Sequence, residues 1–491
     1  MAAHLPILQI VVPLVAAPAC LALGRGRAAW LLALAVSWAA LGIAGGLLAT
    51  VLRDGPVSYA LGNWAPPWGI EYRVDALNAY VLLIVAAIGA VVLPYARRSI
   101  ADELPAHQHA AFYTAFLLCL TGLLGVAITG DAFNLFVFLE ISSLSSYVLI
   151  GLGRNRRALT AAFQYLVMGT IGATFIVIGI GLLYMATGTL NMADLAARIP
   201  AVAHSRTVLA ALAFLAVGAT LKIALFPLHG WLPNAYAYAP SAVTAFLAAT
   251  ATKVSVYILV RFLFTVFGPA YSFEQLALHN LIVPFAVIAI VVCSTVAIFQ
   301  NNVKRMLAYS SVAQIGYMML GIGLGTATGI SAGLVHLFNH ALMKGGLFLA
   351  LGCIALRVGS VRLEALAGLG RTMPLSAFAF VIGGLSLIGV PLTNGFISKW
   401  ILVQATLEQG AWGLALVVLF GSLLAVAYIW RVVEVAYLRP PPDGARRREA
   451  PLSMLIPTWI LIGASVYFGI DTSLSLGVAE IAARILTGGA G

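Results

Sequence analysis

Residues 221–231 read Leu221-Lys222-Ile223-Ala224-Leu225-Phe226-Pro227-Leu228-His229-Gly230-Trp231, a lysine, a proline and a glycine set inside an otherwise apolar run. A second stretch repeats the device, Gly389-Val390-Pro391-Leu392-Thr393-Asn394-Gly395-Phe396, with Lys399 shortly after it. Proline removes a backbone hydrogen bond and frees a carbonyl, which a membrane tolerates only where protein or a water-filled cavity satisfies it. Two interrupted helices in corresponding places predict a transporter built from two repeats, with its site near the bilayer midplane. Lys222 precedes its break and Lys399 follows its own, the mirrored placement an inverted repeat produces. An ordinary proline kink accounts for Pro227 or Pro391 alone, but not for a lysine beside each.

Outward from the two breaks, more ionisable groups lie in apolar segments: Glu140 in FNLFVFLEISSLSSYVLI, Lys253 in VTAFLAATATKVSVYILV and Lys344 in FNHALMKGGLFLALG. Each costs roughly 2.5–3.5 kcal/mol at membrane depth, so each points by default to an ion or proton path. The whole chain has that background: 491 residues, 62% hydrophobic, 9% charged, mean hydropathy +1.02. No soluble globular composition approaches this, and the fold class expected is an all-α polytopic membrane protein. The net charge of +11 does not indicate nucleic acid, because the arginines are isolated in short connections between apolar runs long enough to span a bilayer. Cys20, Cys119, Cys293 and Cys353 are scattered and form no ligand set, so they read as packing.

Apolar runs between turn signals predict fourteen transmembrane helices, centred near residues 14, 41, 84, 120, 143, 174, 217, 252, 290, 315, 342, 387, 423 and 462. The N-terminal run lacks a basic n-region and reads as a retained first helix. With the N-terminus outside, the cytoplasmic connections hold Arg25, Arg27, Arg97, Arg98, Arg154, Arg156, Arg157, Lys304, Arg305, Arg357, Arg362, Arg371, Arg439, Arg446, Arg447 and Arg448. The other side holds only Arg53, Arg73, Arg198, Arg206 and Arg484, so both termini are expected outside. The proline-rich, basic loop at 439–448 then serves as a topology determinant. Residues 473–487 place Leu476, Ala479, Ala483 and Leu486 opposite Glu480 and Arg484, the pattern of an interfacial helix. No soluble domain or linker interrupts the chain, so residues 1–491 read as one membrane domain.

The segments GDAFNLFVFLEISSLSSYVLIGLG, TGTLNMADL, LKIALFPLHGWLPNAYAYAPSAVTAFLAATATKVSVYILVRF, AYSSVAQIGYM and HLFNHALMKGGLFLALG resemble the antiporter-like subunits shared by respiratory complex I, membrane-bound hydrogenases and Mrp-type cation/proton antiporters. The likeness runs from about residue 70 to 440, and FVFLE with TGTLNMADL looks most like the D-type member of the Mrp antiporter. It implies two inverted five-helix repeats with discontinuous helices, helices four to eight (about 110–270) and nine to thirteen (about 278–440). It also implies a proton path through Glu140, Lys222, Lys253, His336, His340 and Lys399, with His229 and Lys344 as secondary candidates and Pro227 and Pro391 as the helix breaks. Family members with glutamate in place of Lys399, and those with a long lateral helix, are further from this sequence. The partners implied are other membrane subunits in a bacterial or archaeal cytoplasmic membrane, with protons and Na+ as transported ions; a redox-driven complex is the alternative parent.

Burial favours the neutral form of a lysine and a nearby carboxylate favours the ammonium, so a Glu140–Lys222 pair reads as a switch. Together they hold a proton on Lys222; apart, Lys222 passes it along waters toward Lys253. His336, His340 and Lys344 are spaced by four, which keeps them within about 80° of one helix face. Imidazoles relay protons near neutral pH and suit a link from Lys253 to Lys399. Histidines at that spacing also bind zinc, but no HExxH glutamate or third ligand accompanies them, so no metal is expected. Lys344 reads as a relay member or as a lysine snorkelling to a helix end, and His229 as a relay member or as a partner for freed backbone. Arg431 and Glu434 read as a local ion pair, Arg261 as an anchor at the outer end of its span, and Asp131 as a helix N-cap. With no GxGxxG, no P-loop and no nucleophile beside a base, no cofactor is expected and any driving reaction belongs to a partner or a second ion gradient.

Overall fold

A computed structural model describes residues 4–444 and 447–488; Arg446 of the basic loop lies outside the described residues. The chain opens with α1 (Leu5–Leu23), α2 (Gly26–Asp54), α3 (Ala76–Glu103), α4 (His109–Ile128), α5 (Ala132–Gly151) and α6 (Arg157–Thr187). Short α7 (Met192–Val202) precedes α8 (Arg206–Ile223), α9 (Leu232–Tyr238) and α10 (Ser241–Val260), which runs on through a π-turn to Val266. The second half holds α11 (His279–Ile298), α12 (Val303–Gly323), α13 (Ala327–Val358), α14 (Leu369–Thr372), α15 (Pro374–Ile388) and α16 (Asn394–Glu408). α17 (Trp412–Val433), α18 (Leu452–Ile470) and α19 (Ser473–Leu486) complete it.

Starts follow local capping chemistry. Asp75 and Asn78 form a reciprocal capping box at α3, and Asp131 caps α5 by accepting from the Asn134 amide, the role read for it from sequence. Gly24, Gly188 and Gly359 close α1, α6 and α13 in the left-handed conformation. Twelve helices among the described residues are long and apolar enough to cross a bilayer. The other two expected spans fall on α12, which carries Lys304, Arg305 and Gln314, and on α15, which stops after 15 residues at the second break.

α13 is the axis. It is buried without interruption from Gly329 to Ile354 and packs against α10, α12, α15, α16, α18 and α19. α3 and α10 are similarly enclosed, whereas α2, α6, α11 and α17 expose leucine, phenylalanine and tryptophan at the periphery, as a lipid solvent allows. The all-α expectation omits one feature: β1 (Val57–Ala60) and β2 (Glu71–Val74) pair antiparallel with Val57 opposite Val74, beside the start of α3. α19 lies within the expected 473–487 segment and lays Val478, Ala479, Ala482 and Leu486 onto α3 and α13.

Two short backbone bridges have the same form at opposite ends of the bundle. At the start of α5, the Ala132 amide donates to Leu190 O and the Met192 amide to Gly130 O, each at 2.8 Å. At the start of α12, the Val303 amide donates to Val361 O at 2.9 Å and the Leu363 amide to Asn301 O at 2.8 Å. Ala132 to Leu190 and Val303 to Val361 are both 58 positions apart. The first bridge lies at the hairpin end, the second at the end holding Arg357 and Arg362.

Candidate functional site

α8 ends because Ala224 adopts φ +62° and Pro227 has no amide to continue the helix. The freed carbonyls are recovered locally: Thr220 O accepts from the Leu225 amide at 3.2 Å, and Leu221 O from the Trp231 indole at 3.1 Å. That indole stacks on Tyr165 with centroids 3.9 Å apart, which fixes the returning chain. Lys222 occupies the last turn of α8, whose C-terminal dipole favours a cation. Its Nζ donates to Ser143 Oγ at 2.7 Å and stands 3.5 Å from Glu140 Oε1. Ser143 and Glu140 share one face of α5, so both partners come from a single helix. The lysine side chain is 2% exposed and the carboxylate 24%, so the pair reaches from interior to periphery. His229 stacks on Phe226, and although its Nδ1 has no partner among the described residues, the Pro227 carbonyl lies within hydrogen-bonding reach of the ring, so the relay reading and the backbone-partner reading both stand.

Lys253 is fully buried on α10 and, among the described residues, donates only within its own helix, to Ala248 O and to Thr252 Oγ1 at 3.3 Å. Across from it, α13 carries the polar stripe. His336 Nδ1 lies 2.8 Å from Ser398 Oγ and its Nε2 2.9 Å from Gln314 Oε1, linking α12, α13 and α16. A neutral ring satisfies both when Nε2–H donates to Gln314 and Nδ1 accepts from Ser398. His340, one turn on and 6.2 Å away between ring centroids, is fully buried, and neither ring nitrogen has a partner among the described residues. Such a ring is rare without ordered water, and a relay needs water in that place. Lys253 lies within electrostatic reach of both histidines, Lys344 of His340 and Lys399 of His336. Lys344 does not snorkel: it is fully buried and donates to Leu307 O and Ser310 Oγ, each at 2.9 Å.

At the second break α15 stops at Gly389, φ +92°, and α16 resumes at Asn394. Lys399 turns back to the broken end and donates to Leu387 O, Ile388 O and Ser422 Oγ, each at 2.9 Å. All three ammonium protons are used, and the Tyr317 ring lies 4.8 Å away. No carboxylate stands within 4.0 Å of it among the described residues, so the two breaks hold their lysines differently. Asn339 and Asn394 exchange side-chain to backbone hydrogen bonds at 2.6 and 3.4 Å, tying α13 to the resumed helix.

Two expectations are corrected. Arg431 does not pair with Glu434; it reaches Gln300 O and Asn301 Oδ1 in the turn before α12, and Glu434 pairs with Arg439 at 3.2 Å. Arg261 does not anchor its span at the surface. It is buried and bidentate on Asp75, at 2.8 and 3.0 Å, with Asn78 Oδ1 at 2.8 Å and the Tyr257 ring beneath. Gln314, Ser398, Ser143, Asn394 and Asp75 were not singled out from sequence; only Asp75, three residues before Asn78 at the head of an apolar run, carried a local signal. No group of three His, Cys, Asp or Glu among the described residues is placed to hold a metal ion, and the four cysteines are buried and unpaired.

Residues 129–425 match the family described as NADH:quinone oxidoreductase/Mrp antiporter, transmembrane. The chain is 44% identical over 480 residues to the N subunit of the NADH-quinone oxidoreductase of Desulforudis audaxviator, covering 94% of each chain. It is 31% identical over 425 residues to the D subunit of the Na(+)/H(+) antiporter of Alkalihalophilus pseudofirmus, covering 86% of this chain and 85% of that one. Among solved structures it superposes with TM-score 0.90 on a chain of the Mrp complex from Dietzia sp. DQ12-45-1b, at 26% identity, covering 99% of this chain and 97% of that one. A chain of an archaeal membrane-bound sulfane sulfur reductase gives TM-score 0.91 at 31% identity, covering 99% and 98%. A chain of respiratory complex I from Thermus thermophilus gives 0.76 at 26%, covering 96% and 99%. With broken helices, buried lysines and near full-length likeness to both branches, this multi-pass membrane protein belongs to the NADH:quinone oxidoreductase/Mrp antiporter transmembrane family, as an antiporter-like subunit of the Mrp or complex I-like kind.

Proposed function

We propose that the chain moves protons across a bacterial or archaeal cytoplasmic membrane as one subunit of a multi-subunit Mrp-type Na+/H+ antiporter. The observation that carries the reading is the series of buried ionisable groups running from Glu140 and Lys222 through Lys253, His340 and His336 to Lys399, bounded by the two breaks. Fourteen spans follow if α12 counts as one and α15 with α16 as another, the break being what shortens each half. The matching bridges at the starts of α5 and α12, equal in spacing and at opposite ends, support inverted repeats at about 110–270 and 278–440. The arginine-rich end is then cytoplasmic, both termini are outside, and α19 lies at the outer interface.

In this mechanism the Glu140 carboxylate holds the proton on Lys222 at 3.5 Å. Separation of α5 from α8 releases it to water leading to Lys253, and the unpartnered His340 ring then accepts and donates in turn. His336 passes it toward Lys399, whose carbonyl cradle steadies the charged form.

A specific observation favours a second parent. The 44% identity to an N-type relative of the oxidoreductase exceeds the 31% to a D-type relative of the antiporter, which favours a redox-driven complex with the same proton path. Purification of the native complex separates them: iron–sulfur or flavin subunits in stoichiometric amount overturn the Mrp reading, and small antiporter subunits without a redox centre support it. Glu140→Ala and Lys222→Ala in assembled vesicles test the path itself. Wild-type proton movement in both would leave the chain a scaffold and end the relay reading.

A further inference from the structure

A cavity of about 430 Å³ with both polar and apolar lining opens at the arginine-rich end, between the last turn of α3, the first turns of α10 and α12 and the last turn of α13. Its rim carries exposed Asp102 and Arg154; its floor is Ser241, Lys304 and Gly352, all buried, with Glu103 half-buried between rim and floor. Glu103 accepts from Ser99 Oγ at 2.6 Å and from the Ser241 amide at 3.0 and 3.2 Å. Lys304 donates to Ala239 O at 3.0 Å, which occupies one of its three ammonium protons. Capping of α10 by Glu103 explains the Ser241 contact, but it explains neither the cavity nor a lysine buried at its floor.

The floor lies close to the relay. Lys304 is one turn along α12 from Leu307, and Leu307 O and Ser310 Oγ are the groups that hold Lys344. Lys344 is in turn within electrostatic reach of Lys253 and His340. Along α13, Gly352 and Lys344 are eight residues apart, about 12 Å. Lys344 otherwise has no place between Lys253 and Lys399.

We propose that this cavity is the mouth through which protons pass between the arginine-rich side and the relay, with Glu103 as the carboxylate that carries the proton at its throat, Lys304 as the charge that orders water on its floor, and Lys344 as the branch into the path. The proposal rests on the relay reading of Glu140, Lys222 and Lys253. The step balances with solvent protons alone: the Glu103 carboxylate takes a proton from hydronium at the rim, leaving water, and the neutral acid returns it through the floor waters to a neutral Lys344 amine, leaving the carboxylate and an ammonium.

The test uses membrane vesicles containing the whole complex. Ala355→Cys, at the cavity wall, is placed in a chain whose four native cysteines are alanine, and vesicles of both orientations are treated with a membrane-impermeant cationic methanethiosulfonate. Labelling from the arginine-rich side alone, with proton movement falling by about tenfold or more, is expected. Glu103→Gln, which keeps an acceptor for the Ser241 amide, should fall comparably, and Glu103→Asp should recover a good part of the rate. No labelling from that side, or full labelling with the rate unchanged, overturns the proposal. Where Glu103→Gln fails to assemble, the labelling result decides alone. Glu140→Gln in the same vesicles judges the relay separately: transport at the wild-type rate there sinks the relay reading, whatever the cavity does.

Discussion

Asp75→Asn is the most demanding perturbation the structure offers, because it removes a charge and leaves the shape. Arg261 spends two of its nitrogens on Asp75, at 2.8 and 3.0 Å, and the pair is nearly sealed, with side-chain exposures of 7% and 11%. Breaking a buried ion pair from one side costs about 3–5 kcal/mol, since the remaining charge stays desolvated. Asparagine still offers one oxygen to the guanidinium and still caps α3, so the loss for Asp75→Asn should sit near the low end, about 3 kcal/mol. Asp75→Ala forfeits the cap as well, about 1 kcal/mol more, for a total of about 4–6 kcal/mol. Arg261→Met fills the space without charge, so the double variant Asp75→Asn, Arg261→Met should recover much of the loss. The assay is equilibrium unfolding in mixed micelles on all four members of the cycle, read by tryptophan fluorescence. A coupling energy of about 2 kcal/mol or more is expected; one below about 0.5 kcal/mol is what independent sites give, and it would refute the claim that this pair clamps α10 to α3.

Other expectations are read by simpler measurements. Shortening Glu140 to aspartate widens its gap to Lys222 from 3.5 Å toward about 5 Å; at an effective dielectric of about 20 the attraction weakens by about 1.4 kcal/mol, or about tenfold in the clamp equilibrium. Proton movement should therefore slow but persist in Glu140→Asp and drop much further in Glu140→Gln, both monitored by dye quenching in inverted vesicles. A Cβ at Gly395 would stand 1.8 Å from Ser386 O, so Gly395→Ala should force the two halves of the second break apart, with about 1–3 kcal/mol or more of destabilisation seen as a lower melting temperature. His340→Phe removes two nitrogens that bond nothing among the described residues, so it should spare the melting temperature while stopping transport; His336→Phe strands Gln314 and Ser398 and should lower both. All four cysteines are buried, so the folded chain should resist N-ethylmaleimide until denatured.

What could be read in advance divides along the distance between partners. The breaks announce themselves within a dozen residues, because proline and glycine act on their own backbone, and Asp131 declares its cap three residues ahead. The nearness of Glu140 to Lys222, 82 positions apart, came with what the family resemblance implies and not from either residue's neighbours in the chain. Arg261 was misread for the opposite reason. Its countercharge lies 186 positions upstream, and an arginine near a span end looks the same from sequence whether it reaches outward or into the bundle. Lys344 is a similar case: Leu307 O, a bare carbonyl, satisfies it, and no residue type advertises a free carbonyl. Gln314 and Ser398 are ordinary polar residues until α12 and α16 bring them to opposite nitrogens of one ring.

α13 is 32 residues long, about 48 Å of helix, and it meets protein on every side along its buried length. A peripheral helix answers a thinner or thicker bilayer by tilting, but this one has no lipid face with which to sense the change. Mismatch with the membrane falls instead to peripheral helices such as α1, α2, α6, α11 and α17, which expose apolar side chains. The spacing between His336, His340 and Lys344 is thereby insulated from lipid composition, and the same protein can keep its internal distances in membranes of different thickness.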